Sequence, residues 1–264
     1  MYNSEFKVTA VVAIRNGAYY FNRLCEHFRS NGIDMAVIDN DSEDNLLELI
    51  EYNSDVVITT KNLPYEGGFN LTEQLEAKQD LVQSIDSEWF IYLDVDELLF
   101  SDTVNERMVD AIERVDARGF DAINFDEFVF LPVDVYRNYK ANDYHTMRWY
   151  YFFEPRPRRL IRAFKSHLRM NIESGGHGVQ NVRNLYPNNM VMRHFMFENK
   201  KHAKRKYHER IYSKTDIENR FHGNRILLQN HTLILPQRRN LCIAGEKDWN
   251  LNKSKPKQKH FWEW

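Results

Sequence analysis

With two cysteines in 264 residues, Cys25 and Cys242, the chain cannot build a disulfide framework, which points to a reducing cytoplasm. No apolar run approaches the ~18 residues of a membrane span. The opening "MYNSEFKVTAVVAIRNG" has a short apolar stretch with an arginine directly after it. It lacks the basic leader and small-residue cleavage site of a signal peptide, so a cytoplasmic protein is expected. The Asn-x-Ser/Thr triplets at Asn70, Asn230 and Asn252 then read as chance. Neither an internal repeat nor a low-complexity block is present. Glycine-rich phosphate loops are missing too: the turn after the first apolar run reads "IRNGAYY", with no P-loop and no G-x-G-x-x-G. Any phosphate bound here is not cradled by glycines.

What is present is a sizeable globular chain, 42% hydrophobic and 28% charged, long enough for one large domain or two fused ones. Its net charge of −2 conceals a polarity. Residues 1–136 carry 9 Lys and Arg against 28 Asp and Glu, a balance of −19; residues 137–264 carry 27 against 10, a balance of +17. An acidic half and a basic half either serve different partners or attract each other.

The first half alternates apolar runs with helical spacing. "VTAVVAI" reads as a buried strand, followed by Phe21, Leu24, Cys25 and Phe28 on one helix face and a stop at Asn31-Gly32. "MAVIDN" and "DVVITT" are further strands, with the short helix "DNLLELIEY" between them. Leu71, Leu75, Val82 and Ile85 line another helix, with Asn70 and Glu73 as a capping box. A helix is expected near Thr103–Ala117, then the strand "FDAINFDEFVF". Strand–helix alternation of this kind predicts an α/β fold with a mainly parallel sheet. Residues 137–195 read as long loops with short strands, "KKHAKRKYHERIYSK" as a basic helix, and Asn250–Lys259 as a loosely ordered tail. Two parts are expected, 1–130 and 131–264, the second ending in a basic helical extension.

"WFIYLDVDELLF" carries the chemistry. An apolar run from Trp89 to Leu93 ends on Asp94, Asp96 and Glu97. Ligands of open α/β sheets sit outside the carboxyl ends of the strands, and three carboxylates there repel one another unless a cation or basic ligand joins them. In an extended chain residues i and i+2 face the same way, so Asp94 and Asp96 are expected to share a hard cation, Mg²⁺ or Mn²⁺, with phosphate oxygens.

At this point the sequence resembles the family 2 glycosyltransferases of the GT-A fold, in the bacterial branch with an "LDVDE" core. The anchors are "VVAIRNGAYYFNRLCEHFRSNGID", "AVIDNDSEDN", "FIYLDVDELL", "SGGHGV" and "MRHFMF", in this order over roughly Val8 to Tyr207. The resemblance implies a cytoplasmic enzyme moving a sugar from a nucleotide-sugar donor, with UDP as first choice, to a saccharide or lipid-linked acceptor in surface polysaccharide synthesis. It implies that Ala13, Arg15 and Asp39 contact the nucleoside. Asp94 and Asp96 would bind ribose and the metal–diphosphate, and His194 would complete the Mn²⁺ or Mg²⁺ site. His177, among glycines that permit close approach, would touch substrate or phosphate. An inverting transfer also needs a carboxylate to take the acceptor's proton; Glu127 and Asp126 are the candidates, with Glu97 third. Each has a plainer alternative: Asp39 a strand-end acid, Arg15 a surface ion pair, His194 a core histidine, His177 a turn residue.

Two other classes compete. A haloacid dehalogenase-type phosphatase also pairs an apolar strand with Asp-x-Asp, but three strand–helix units precede the motif here and its later acidic pair is absent. A nucleic-acid-binding module could use the basic half with Tyr150, Tyr151, Phe152 and Phe153 for stacking. No base-reading motif supports it, so no nucleic-acid partner is expected. A basic half equally suits a nucleotide diphosphate, an acidic glycan or peripheral contact with an anionic membrane.

Overall fold

The period-2 alternation of a strand buried on both faces is clearest in β1 (Val8–Ile14). Val8, Ala10, Val12 and Ile14 enter one apolar cluster, and Val11 enters the other. β4 (Trp89–Leu93) repeats this, with Trp89, Ile91 and Leu93 on one side and Phe90 and Tyr92 on the other. The first cluster is covered by α1 (Ala18–Asn31), which buries Phe21, Leu24, Cys25 and Phe28 and stops at Gly32 with φ 67°. The second is covered by α3 (Leu71–Val82), whose first turn is capped where Asn70 Oδ1 accepts the Glu73 N–H at 3.3 Å.

The computed structural model describes residues 6–134, 143–221, 228, 233–245 and 251–264; Asn230 and Asn250 lie outside them. β2 (Asp34–Asp39), α2 (Leu46–Tyr52) and β3 (Val57–Asn62) complete the parallel core, in the strand order β4–β1–β2–β3. After β5 (Glu97–Phe100) comes α4 (Met108–Ala117). It starts later than Thr103 because the Ser101 hydroxyl accepts the Thr103 N–H at 3.0 Å and ties the intervening segment in turns. β6 (Ala122–Phe130) follows, then β7 (Trp149–Phe152), β8 (Ile161–Lys165), β9 (Arg169–Asn171), β10 (Gly178–Gln180) and β11 (Met190–His194). α5 (Lys200–Tyr207), α6 (Lys214–Glu218) and β12 (Cys242–Ile243) end the series.

The result is an α/β protein whose main sheet runs β12–β7–β6–β8–β4–β1–β2–β3, with β11 joining β6 and β5. β1, β2, β3, β4, β6 and β11 point one way, and β5, β7 and β8 run against them. The boundary near residue 130 does not separate two sheets. β8, from the later part, lies between β4 and β6 and hydrogen-bonds to both.

The charge polarity resolves into attraction. Glu97–Arg162, Asp116–Lys165, Asp126–Lys253, Glu127–Arg159 and Asp96–Lys206 all join an acid of the first half to a base of the second. The tail is also better tied than its composition predicts. Lys257 exchanges backbone hydrogen bonds with Phe152 and Glu154 at 2.9 Å each, and Phe261 is buried in a third cluster with Tyr151, Phe153 and Tyr207. Among the described residues, no helix is long and apolar enough to cross a membrane.

Candidate functional site

Parallel register brings three strand ends to one edge of the sheet: Ile14 lies beside Asp39, and Val12 beside Leu93. Arg15, directly after β1, spans the loop after β2. Its guanidinium donates to Asn40 O at 2.9 Å and to Asp41 O, pairs with Glu43 at 2.7 Å, and lies 3.6 Å over the Tyr65 ring. Asp39 is buried, and its Oδ1 accepts the Ser42 N–H at 3.0 Å, shaping the same loop. Ala13 is half-buried one residue from the end of β1. These three residues are brought together, and two of them already hold the loop that borders the edge.

The Asp-x-Asp segment departs from the expected geometry. β4 ends at Leu93 and the chain turns, so the i, i+2 rule of an extended strand no longer applies. Asp94 is exposed while Asp96 and Glu97 are buried. Glu97 closes the turn: its carboxylate accepts the Asp94 N–H at 3.0 Å, and its own N–H donates to Asp94 O at 3.1 Å. β5 then pairs antiparallel with β11, His194 opposite Glu97, and the Phe195 N–H donates to Asp96 O at 2.8 Å.

That pairing assembles a buried chain of charges. His194 lies between two carboxylates, with Nε2 3.5 Å from Asp96 Oδ2 and Nδ1 2.8 Å from Glu127 Oε1. Lys206, from the basic helix α5, places its ammonium on Asp96 Oδ2 and donates to Met196 O at 3.0 Å. Arg159 pairs with the other oxygen of Glu127 at 2.7 Å, and Arg162 on β8 pairs with Glu97 at 2.6 Å. Behind Asp94, the buried Lys78 of α3 donates to Leu93 O at 3.0 Å.

Burial alone would raise the carboxylates and lower the imidazole, but the pairings reverse both. The charges of Lys206 and His194 hold the Asp96 carboxyl well below the usual range. The His194 hydrogen bond and the Arg159 charge do the same for Glu127. Asp96 and Glu127 together push His194 up to about 10, so its ring is a cation at neutral pH. Glu97 is the exception: burial dominates and raises it despite Arg162.

Glu127 therefore shares the cluster with Asp96 and His194, whereas Asp126 does not. Successive strand residues point to opposite sides, and Asp126 meets Lys253 at 2.7 Å and Asn189 at 2.8 Å. His177 is exposed on the turn whose Gly176 carbonyl meets Arg162 at 3.5 Å. Sequence reasoning missed Lys78, Arg159, Arg162 and Lys206 as members of the site. The last was legible only as one of many bases in "KKHAKRKY", and the arginines only as part of "RPRRLIRAF". Two surface cavities, of about 540 Å³ (His167 to Arg183) and about 280 Å³ (Lys7 to Asp86), include none of these groups.

As a ligand set for Mn²⁺ or Mg²⁺, Asp94, Asp96 and His194 do not fit as arranged. Among the described residues no three His, Cys, Asp or Glu side chains gather to hold a metal ion. The reason is in the donors. Asp96 Oδ2 already bears an ammonium, and both nitrogens of His194 are turned to carboxylates, Nε2 to Asp96 and Nδ1 to Glu127.

No family model and no curated protein matches the sequence. Among solved structures, the chain is similar to TarS from S. aureus, with TM-score 0.44 and 11% identity over 72% of this chain and 36% of that one. It is similar to TarS 1–349 in complex with UDP, with TM-score 0.46 and 12% identity over 71% and 60%. It is also similar to a mannosyltransferase from Pyrobaculum calidifontis in complex with GDP-Man and Mn²⁺, with TM-score 0.46 and 14% identity over 75% and 59%. The chain thus spans between about a third and three-fifths of the length of these proteins.

Proposed function

We propose that this protein is a GT-A-type glycosyltransferase of the family 2 kind, moving a sugar from a nucleotide-sugar donor, a UDP-sugar first, to a saccharide or lipid-linked acceptor in polysaccharide synthesis at the cytoplasmic side of a membrane. One observation carries the reading. The carboxyl edge of the parallel core joins a loop-bordered acid, Asp39, to a buried cluster that is rich in cations. A nucleoside suits the first and a diphosphate the second.

In such a transfer the acceptor oxygen bonds to the anomeric carbon as the bond to the donor's phosphate oxygen breaks. The nucleoside diphosphate leaves with added negative charge, which fixed cations in a water-poor site stabilise. A divalent ion, when bound, would supply the same neutralisation as a Lewis acid; the donor set found here does not fit one. Glu127, facing the cluster, is the better placed of the two candidate bases. Its pairing with both Arg159 and His194 makes it a weak proton acceptor until one of them parts from it. Lys204 and Arg205 are exposed on α5 and suit an anionic acceptor.

The test is a melting-temperature screen of UDP, GDP and CDP with and without Mn²⁺, followed by chromatography of nucleotide released from UDP-sugars. UDP is expected to raise the melting temperature, because a ligand of the folded state alone stabilises it. No shift with any nucleotide, together with hydrolysis of a generic phosphate ester, would replace this reading by the phosphatase.

A further inference from the structure

Resting on that reading, we propose that the site holds the donor's diphosphate directly on side-chain cations, Lys206 foremost, and not through a divalent metal ion. The argument begins with what the cluster already contains. Its carboxylates are Asp94, Asp96, Glu97 and Glu127; facing them are four basic groups, Lys78, Arg159, Arg162 and Lys206. The balance is even before His194 is counted. A divalent cation added to this set would stand against the Lys206 ammonium, which occupies the Asp96 oxygen a metal would need. Like charges that close in a low-dielectric site repel strongly.

Two buried donors beside the cluster lack an acceptor. Arg162 is buried, and its Nε–H has no partner among the described residues. The Tyr20 hydroxyl is likewise buried without a partner, close enough to Asp96 to feel its charge. Buried donors left unmade are costly. Phosphate oxygens would satisfy them, and a metal ion would not.

The arrangement also gives Asp96 a different role. It holds Lys206 in place from one side while Met196 O holds it from the other, so the ammonium is positioned before the ligand arrives. α5 thereby forms one wall of the diphosphate site. The exposed bases of that helix, Lys200, Lys201, Lys204 and Arg205, stay outside it.

The experiment is calorimetry of the full chain with two probes, inorganic pyrophosphate and UDP, first in EDTA and then with Mn²⁺. Both are expected to bind in EDTA, with Mn²⁺ changing either Kd by less than about threefold. Lys206→Met should weaken both by at least ~10-fold, the low end for a hydrogen bond to a charged group. Lys206→Arg should recover most of the loss, which separates lost charge from lost fold, and the exposed Lys201→Met on the same helix should change neither probe. Binding of UDP only with Mn²⁺ would overturn the metal-free site and leave the transferase reading standing. Binding of pyrophosphate but not UDP in EDTA would leave the anion site and remove the nucleotide-sugar reading. If Lys206→Met binds both probes as tightly as the parent, or if neither binds in EDTA, the proposal fails.

Discussion

The Glu97–Arg162 pair offers the sharpest test of how the cluster is held together. Its two side chains are 1% and 10% exposed and meet at 2.6 Å. The Glu97 carboxylate also accepts the Asp94 N–H, so it fixes the turn that sends Asp94 outward and Asp96 inward. Removing one member of a buried pair strands the other, at about 3–5 kcal/mol. Glu97→Gln keeps the volume and an acceptor for the turn, so the lower end applies and about 3 kcal/mol is expected. Arg162→Met strands a carboxyl whose pKa burial already raises. That carboxyl escapes by taking a proton, so about 2–3 kcal/mol is expected.

The double variant leaves no stranded charge, and its cost should be only about 1 kcal/mol, because removing both members takes away their desolvation cost along with their attraction. The pair would then show a coupling of about 4–5 kcal/mol, against the ~0.5 kcal/mol of independent sites. Urea unfolding at pH 7, followed by tryptophan fluorescence, measures all three; Trp89 is fully buried on β4 and reports on the same core. Additive costs, with coupling under ~0.5 kcal/mol, would show that the two residues are held by their surroundings and not by each other.

Other outcomes follow from the same geometry. His194, raised to about 10, stabilises the fold fully below its unfolded value near 6.5, and that contribution is lost as pH rises through 10. His27, buried against Leu99 O and lowered by burial to about 4, stabilises above 6.5 and loses its contribution as pH falls toward 4. Unfolding free energy measured against pH should therefore peak between these flanks, and His194→Gln should remove the alkaline slope while sparing the acid one. Asp39→Ala should weaken UDP binding by ~1.5–3 kcal/mol by calorimetry, with Asp39→Asn as the check on the Ser42 turn; an unchanged Kd returns Asp39 to a loop-shaping role.

Much of the fold was legible because it is written in short-range periodicity. The buried strands, the helix face of α1, its stop at Gly32 and the Asn70 cap depend on residues within a turn or two of one another, where spacing carries the information. That acids stand at strand ends was equally plain. What those acids touch was not, since Asp96 meets a lysine 110 positions away, Glu97 an arginine 65 away, and Glu127 a histidine 67 away. No local rule ranks Lys206 above Lys204 or Arg205 in a helix where five of eight residues are Lys or Arg. The i, i+2 rule failed at Asp94 and Asp96 because the strand ended one residue too early for it. Composition offered the attraction between the halves as one of two readings, and only as a balance of charge and not as named pairs.

That attraction bears on why so many charges are buried at one edge. For stability alone it is a poor arrangement, because taking ions out of water costs several kcal/mol each and apolar side chains of the same volume would serve as well. The parallel core shows the chain can do this, packing β1 and β4 on both faces with scarcely a polar atom. The ion pairs that cross between the halves are instead concentrated where β4, β5, β6, β8, β11 and α5 converge. Only the acidic half supplies the carboxylates there, and the basic half supplies every cation except Lys78. Each cation is thus held by a partner on a different element, and its position is set by the sheet and not by its own flexible stem. A ligand that meets such a group need not first order it, which is the usual entropic cost of binding with lysine or arginine. The expense of the buried network is intelligible as the cost of holding cations still, and an anion arriving from solvent is the ligand that gains by it.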